Sequence, residues 1–219
     1  MEVAKALVQF GINNAVRFCF WTAEEIGMVG STKYVENLSA AEKDSIALYL
    51  NIDMVASPNY AYFVLDGDGS ANKTSNVTLP EGSGYIEKVF VDYFASQNKK
   101  TQPETWDNRT DNAPFILAGI PSGGLHTGAE RIKTQEEADE YGGTAGEPYD
   151  SNYHKAGDNV TNLNYDAWSL NTRAMAHALA IYAESTTNIP QRKPLHRKSK
   201  RSFRQQALHH SGRGHKISA

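Results

Sequence analysis

Two adjacent carboxylates, Glu24 and Glu25, follow directly after an apolar and aromatic run at residues 16–21. The alternation of side chains along that run predicts a strand with at least one buried face. An amphipathic stretch at 32–38 follows, so the predicted order is strand, acidic corner, helix. Because successive side chains diverge, one carboxylate can bind a metal while the other faces a substrate, as in a hydrolase with a metal-bound water and a positioned base. The alternative is an exposed helix start, where acids favour the positive end of the helix dipole.

Further candidate ligands lie later in the chain. Asp53 stands near the end of the apolar run 46–55, and a buried lone carboxylate is costly unless it is paired or bound to a metal. Its alternative role is to cap the following turn. Tyr153 and His154 form a pair in a glycine-bearing loop, which makes them a candidate ligand site. The alternative for this histidine is a hydrogen-bonded structural role.

The elements that must position these residues alternate between strand and helix. A capped helical turn is expected from Ser39, since Glu42 stands at the capping-box spacing. Strands alternating with helices predict a three-layer α/β domain. The patterns predict strands at 16–21, 46–55 and 60–65, helices at 2–10, 32–38, 85–97, 130–141 and 165–183, and loops at 66–84 and around His126 among Gly123, Gly124 and Gly128.

Charge divides the chain into an acidic body and a basic tail. The 219 residues carry 22 Lys or Arg and 25 Asp or Glu. Residues 188–219 hold nine of the basic residues and no acid, so residues 1–187 have a net charge of 13 − 25 = −12. We expect residues 1–187 to form the folded domain and 188–219 a disordered tail. A basic run can bind nucleic acid by neutralising phosphates, but a solvated extension is the expected role.

Composition also bears on the cellular compartment. Cys19 is the only cysteine, so no intrachain disulfide can form. The chain has no apolar run of about twenty residues, so we expect no transmembrane helix, and no signal peptide is recognisable at its start. Five Asn-x-Ser/Thr sequons nevertheless favour a secretory origin; they begin at Asn37, Asn72, Asn76, Asn108 and Asn159.

Five segments, taken in order, resemble a known family: the secreted dizinc aminopeptidases of bacteria and fungi, the leucine aminopeptidase and aminopeptidase Y-like group of clan MH. The resemblance covers residues 1 to about 185 and implies a three-layer α/β/α sandwich with a mixed, mostly parallel sheet of the zinc-exopeptidase type. The segments are Phe-Trp-Thr-Ala-Glu-Glu-Ile-Gly at 20–27, Asn-Ile-Asp-Met at 51–54, Arg-Thr-Asp-Asn-Ala-Pro-Phe at 109–115, Gly-Gly-Leu-His-Thr-Gly-Ala at 123–129 and Tyr-His at 153–154.

The resemblance also implies roles for single residues. Glu24 would be the general base toward the attacking water, and Tyr153 would hydrogen-bond the tetrahedral intermediate. Glu25 and His154 would bind one zinc ion and Asp53 the other, while Arg109 would lie near the substrate pocket. Carboxylate and imidazole are ligands that zinc accepts, and two ions can polarise a carbonyl and activate water together. The implied substrates are peptides with a free amino terminus.

The chain also departs from the family pattern. A His-x-Asp motif and a later bridging Asp lie upstream of the first strand in the family, whereas residues 1–15 contain neither His nor Asp. We therefore expect the carboxyl-terminal two-thirds of the domain, incomplete at its amino terminus, binding at most one zinc ion and showing little or no activity. Asn152 and Gly157 stand where some relatives have cysteines around Tyr-His. His126 stands where an apolar residue is common in relatives.

Three functions remain open from the sequence. The favoured one is a metal-dependent aminopeptidase that is secreted, as the family resemblance implies. The second is a non-catalytic homologue that uses the peptidase-like fold to bind proteins. The third is a nucleic-acid binder acting through the tail, which is disfavoured because a solvated extension is the expected role of that segment.

Overall fold

The computed structural model describes residues 1–71, 79–107 and 109–191. These residues form a four-stranded sheet of order β1-β4-β2-β3, in which β1 and β4 are parallel, β2 and β3 are parallel, and β2 runs antiparallel to β4. The strands are β1 Tyr49–Ile52, β2 Phe63–Leu65, β3 Gln102–Glu104 and β4 Ser122–His126, and the helices are α1 Glu2–Leu7, α2 Val29–Asn37, α3 Ala40–Ser45, α4 Ser83–Ser96, α5 Ala113–Leu117, α6 Gln135–Tyr141 and α7 Tyr165–Glu184.

Helices cover both faces of this sheet, which confirms the predicted mixed α/β architecture. On one face α4 and α7 pack against each other and the sheet, through a cluster that includes Phe90, Phe94 and Leu170. On the other face α2 and α5 contribute Val35 and Phe115, which pack near Tyr49 of β1. The stripe of buried residues on α7 recurs at helical spacing, as expected for a helix with one face in the core.

Two helices match their sequence signals closely. Around α3, the Ser39 side chain accepts from the Glu42 N–H, and the Glu42 side chain accepts from the Ser39 N–H at 2.7 Å. This is the predicted capping box. The prediction of a long last helix at 165–183 is confirmed by α7, which begins after Asn164, whose side chain accepts from the Ala167 N–H at 3.0 Å. In both cases the signal is local, since the cap and the helix it starts lie within a few residues.

The predicted strand at 16–21 is wrong. The structure has no strand in this run, because its residues do not pair with β1, although β1 at the edge of the described sheet has one unpaired side. Trp21 does turn inward, packing near Tyr34 and Phe115 and donating its indole N–H to the Tyr49 hydroxyl at 3.0 Å. Phe18 and Phe20 are 42% and 74% exposed, which contradicts a face buried by these two residues.

The loop predicted around His126 is also wrong in part, because residues 122–126 form β4. Glycine has a low strand propensity, so local rules do not predict a strand here. Packing explains why glycine is present: a Cβ on Gly123 would lie 2.2 Å from Cγ2 of Ile86 on α4. The strand therefore needs glycine so that α4 can approach closely. The predicted helices at 2–10 and 130–141 are shorter in the structure, where they are α1 and α6.

Some predictions fall outside the described residues. The greater part of the basic tail, residues 192–219, and the sequon asparagines Asn72, Asn76 and Asn108 lie there. Within the described residues, no helix has the length and apolar character needed to span a membrane.

Candidate active site

Glu24 and Glu25 lie in a tight turn that precedes α2. The Glu24 carbonyl accepts from the N–H groups of Gly27 and Met28, at 2.8 and 2.7 Å. Ala23, directly before the turn, has a φ of 57°, in the left-handed region that a non-glycine residue rarely adopts. Because α2 begins only at Val29 and has no acid in its first turn, the alternative of an exposed helix start is wrong.

The structure brings Glu25 and His154 together although 129 positions separate them in the sequence. Nε2 of His154 lies 2.8 Å from Oε2 of Glu25. The imidazole stacks on the Tyr153 ring with 3.8 Å between ring centroids. His154 has a φ of 56°, and Met54, which follows Asp53, has a φ of 43°. Backbone strain of this kind concentrates at functional sites, where the surrounding structure must hold it in place.

The loop that carries Tyr153 and His154 is held by side-chain amides. Asn152 donates to Oδ1 of Asn162 at 2.7 Å, and Asn162 donates to Oδ1 of Asp150 at 2.9 Å. A Cβ on Gly157 would lie 2.2 Å from Oδ1 of Asn152, so the chain passes close beside this network. These hydrogen bonds hold the two ends of the loop together, at the place where some relatives have cysteines.

Several carboxylates influence one another electrostatically at this place. Burial, followed by the negative charges of Asp53, Glu25 and Asp111, raises the pKa of Glu24 to about 7. Burial and the charges of Asp111 and Glu25 also raise the pKa of Asp53. Burial raises the pKa of Asp111, although the Ser31 hydroxyl donates to its carboxylate at 2.5 Å. Such a concentration of negative charge favours the binding of a cation.

Arg109 links Tyr153 to an acid that the sequence did not single out. Its guanidinium donates to Oε1 of Glu130 at 2.8 Å and to the Tyr153 hydroxyl oxygen at 3.2 Å. Burial raises the pKa of Tyr153, against the opposing effect of Arg109, so this hydroxyl keeps its proton and can donate it. Glu130 was assigned to a predicted helix, and no local signal marks an ion pair between residues so far apart.

A cavity of about 320 Å³ opens beside these groups. Because β1 and β4 are parallel and Ile52 pairs with Leu125, Asp53 and His126 come to the same edge of the sheet. The sequence-predicted residues Asp53, Arg109 and Tyr153 line the cavity, whereas Glu24, Glu25 and His154 are absent from its wall. Other lining residues are Asn51, Glu104, Trp106, Asp107, His126, Glu130 and Arg131.

Glu25 and His154 fit a zinc ion. Zinc binds carboxylate oxygen and imidazole nitrogen at about 2.0–2.2 Å, which in a tetrahedral site separates two ligand atoms by about 3.3 Å. The observed 2.8 Å between Oε2 and Nε2 is close to that separation. Asp53 does not join them in a set of three ligand atoms within 4.8 Å, and its assignment to a second ion stays a prediction.

Asp66, Asp68 and Glu87 are the one such set of three within the described residues. Oε2 of Glu87 already accepts from the N–H groups of Gly67 and Asp68, at 2.9 and 3.2 Å. The closeness of these three carboxylates is therefore explained by the hydrogen bonds that Glu87 makes to the turn after β2.

The raised pKa of Glu24 predicts a pH-dependent cost to the metal-free fold. The folded-state pKa of about 7 lies above the ordinary 4.5, so the folded protein binds this proton more tightly than the unfolded chain does. The resulting stabilisation of the fold is fully present below pH 4.5 and is lost as the pH rises through 7. At about pH 8, Glu24→Gln should raise the free energy of unfolding by about 1 kcal/mol, a value discounted because solvent screens this partly exposed group. Urea denaturation in a chelator at about pH 5 and about pH 8 measures it. An equal effect at both pH values would contradict the prediction.

The chain is similar to a known protein family and to several known proteins. Residues 1–179 match the family described as Peptidase family M28. The chain is 55% identical over 192 residues to a probable leucine aminopeptidase 2 of Aspergillus fumigatus, covering 88% of this chain and 38% of that protein. It is 52% identical over 203 residues to a probable leucine aminopeptidase 2 of Aspergillus oryzae, covering 91% of this chain and 40% of that protein. The chain thus spans about two-fifths of the length of these relatives.

The fold is also similar to that of solved structures. BSAP, a zinc aminopeptidase from Bacillus subtilis, superposes with a TM-score of 0.63 at 20% identity, over 87% of this chain and 41% of that chain. At this identity the likeness concerns the fold alone. The match over residues 1–179 covers most of the sequence, and the chain belongs to peptidase family M28.

Proposed function

We propose that this chain carries part of the catalytic centre of a zinc-dependent aminopeptidase, which removes single residues from the amino termini of peptides. The observation that supports this most directly is the 2.8 Å contact between the Glu25 carboxylate and the His154 imidazole. Glu25 directly follows Glu24 in the turn before α2. The names of the Aspergillus relatives support the same activity.

The side chains divide the chemistry among them. When bound, zinc polarises a peptide carbonyl and lowers the pKa of water. Glu24, with a pKa of about 7, can accept a proton near neutral pH and return it to the leaving amine. The Tyr153 hydroxyl accepts from Arg109 and so has its own proton free to donate to the carbonyl oxygen as negative charge develops there.

The acidic surroundings also suit the substrate end that an aminopeptidase must recognise. A free amino terminus is positively charged near neutral pH. Asp53 and Asp111 add negative charge close to Glu24, as their effect on its pKa shows. We infer that these carboxylates attract the ammonium group of a peptide. The sequons and the family resemblance support secretion of the protein.

We propose that the chain as given binds at most one zinc ion, weakly, and hydrolyses peptides slowly or not at all. Within the described part of the chain, neither His126 nor His177 belongs to a group of three possible ligand atoms within 4.8 Å of one another. His126 accepts from the Gly128 N–H at 3.3 Å, and His177 packs against Tyr93 at 4.9 Å between centroids. Glu25 and His154 are therefore the pair expected to hold the ion, and Asp53 alone would hold a second one weakly.

A calorimetric zinc titration of the metal-free full chain tests this proposal. His154→Gln and Glu25→Gln should each weaken one binding event at least about tenfold, because each removes one ligand. His177→Gln is the matched control and should leave the titration unchanged. Hydrolysis of leucine 4-nitroanilide should stay close to the uncatalysed rate with zinc present.

Two results would contradict parts of the proposal. If neither His154→Gln nor Glu25→Gln altered the titration, the zinc site would be elsewhere. If two zinc ions bound and supported hydrolysis that Glu24→Gln removed, the activity would be confirmed and the restriction to one ion would be wrong.

A further inference from the structure

His126 brings an uncommitted hydrogen-bond donor to the cavity wall. It is the last residue of β4, and its side chain lines the cavity together with Asp53 and Tyr153. The mechanism proposed above gives it no role. Its ring is held in place, since Nδ1 accepts from the Gly128 N–H at 3.3 Å and Phe63 packs nearby with 6.2 Å between ring centroids.

This hydrogen bond determines which ring nitrogen carries the proton. An Nδ1 that accepts has no hydrogen of its own, so the neutral imidazole carries its hydrogen on Nε2. Burial, followed by the positive charges of Arg131 and Arg109, lowers the pKa of His126 to about 4, and the ring is neutral near pH 7. Nε2 has no hydrogen-bond partner among the described residues, and the ring presents this N–H on the side away from the backbone.

Two arginines near His126 each lie close to an acidic side chain. Arg109 donates to Glu130, and a terminal nitrogen of Arg131 lies 3.7 Å from Glu104. The Arg131 guanidinium also lies over the Phe63 ring, 4.6 Å from its centroid. The neutral N–H of His126 is therefore a donor in this part of the wall that lacks a partner, and the indole N–H of Trp106, which also lines the cavity, is another.

We propose that His126 makes the cavity favour an amino-terminal residue whose side chain ends in a neutral hydrogen-bond acceptor, such as asparagine, over an aliphatic side chain of the same size, such as leucine. The proposal rests on the proposed aminopeptidase function and specifies its substrate class. The side-chain oxygen of asparagine can accept from Nε2–H, whereas leucine in the same place would leave that donor buried without a partner. Acidic side chains are disfavoured, because Asp53, Glu104 and Glu130 line the same wall.

Calorimetric binding of L-asparagine amide and L-leucine amide to the zinc-loaded full chain tests the proposal. The wild type should bind asparagine amide about tenfold more tightly than leucine amide, as expected when a buried donor gains or loses its partner. His126→Leu should remove or invert this preference, and His126→Gln, which retains an N–H donor, should keep most of it. His177→Leu, which changes a histidine on α7 outside the cavity wall, is the matched control and should leave the ratio unchanged.

A second measurement needs no variant. With ¹⁵N-labelled histidine, the Nε2 resonance of His126 should shift on addition of asparagine amide and much less on addition of leucine amide. Equal affinities in the wild type, a ratio unchanged in His126→Leu, or an Nε2 resonance that does not respond would each overturn the proposal. So would a wild type that binds zinc but neither amide. The zinc titration without amide tests the proposed function separately, so the two failures can be distinguished.

Discussion

Replacement of Gly128 by alanine is expected to lower the free energy of unfolding by about 4 kcal/mol, because it combines steric overlap with backbone strain. A Cβ at this position would lie 2.2 Å from Cγ and 2.3 Å from Cδ2 of Tyr149. Tyr149 is fully buried and packs in one cluster with Phe63. Gly128 also has a φ of 94°, a conformation that alanine adopts only at a cost.

A second glycine separates these two contributions. Gly146 has a similar φ of 82°, but a Cβ there would have no neighbour within 4 Å. Gly146→Ala should therefore cost about 1 kcal/mol, the backbone contribution alone. Urea denaturation of both variants beside the wild type gives the comparison. Equal losses of unfolding free energy in the two variants would show that the contact with Tyr149 contributes nothing. That result would contradict the close packing of Gly128 against Tyr149.

The sequence predicted those elements whose signals are local. The capping box of α3 and the long stripe of α7 can be read within one window, because each helix forms its own hydrogen bonds. Strands need partners from elsewhere in the chain. The run at 16–21 has strong strand propensity but pairs with no strand among the described residues, whereas β4 has two glycines and two neighbouring strands. Pairing between distant segments therefore decided both cases against propensity.

The candidate site shows the same division. The five segments identified the family, and the structure brings Glu25 and His154 into contact. Burial and charge link Asp53 to both glutamates of the corner, although its role as a ligand stays a prediction. The sequence could not show that Glu130 pairs with Arg109, or that the Gly128 N–H fixes the hydrogen of His126 on Nε2. Both depend on the relative placement of side chains from separate elements, which no local pattern encodes.

Replacement of Lys133 by methionine is expected to lower the free energy of unfolding by about 3 kcal/mol, since it removes a charged donor from two backbone carbonyl oxygens. Lys133 is 2% exposed. Its ammonium group donates to the carbonyl oxygens of Tyr60, at 2.6 Å, and of Gly142, at 2.5 Å. Gly142 ends α6, where the helix dipole favours a positive charge. The side chain thus joins the segment before β2 to the end of α6.

Methionine has a similar length and apolar character, so this substitution removes the donor while largely retaining the packing. Lys88→Met is the matched control: Lys88 pairs with Asp92 on the exposed face of α4, and its loss should cost no more than about 0.5 kcal/mol. Denaturation by urea measures both variants. A loss for Lys133→Met no larger than that for Lys88→Met would contradict the role of the ammonium group. Glu130 and Arg131 lie just before Lys133 in the chain and line the cavity. If Lys133→Met loses more stability than Lys88→Met, the cavity wall should also change. Near-ultraviolet circular dichroism under native conditions measures that change.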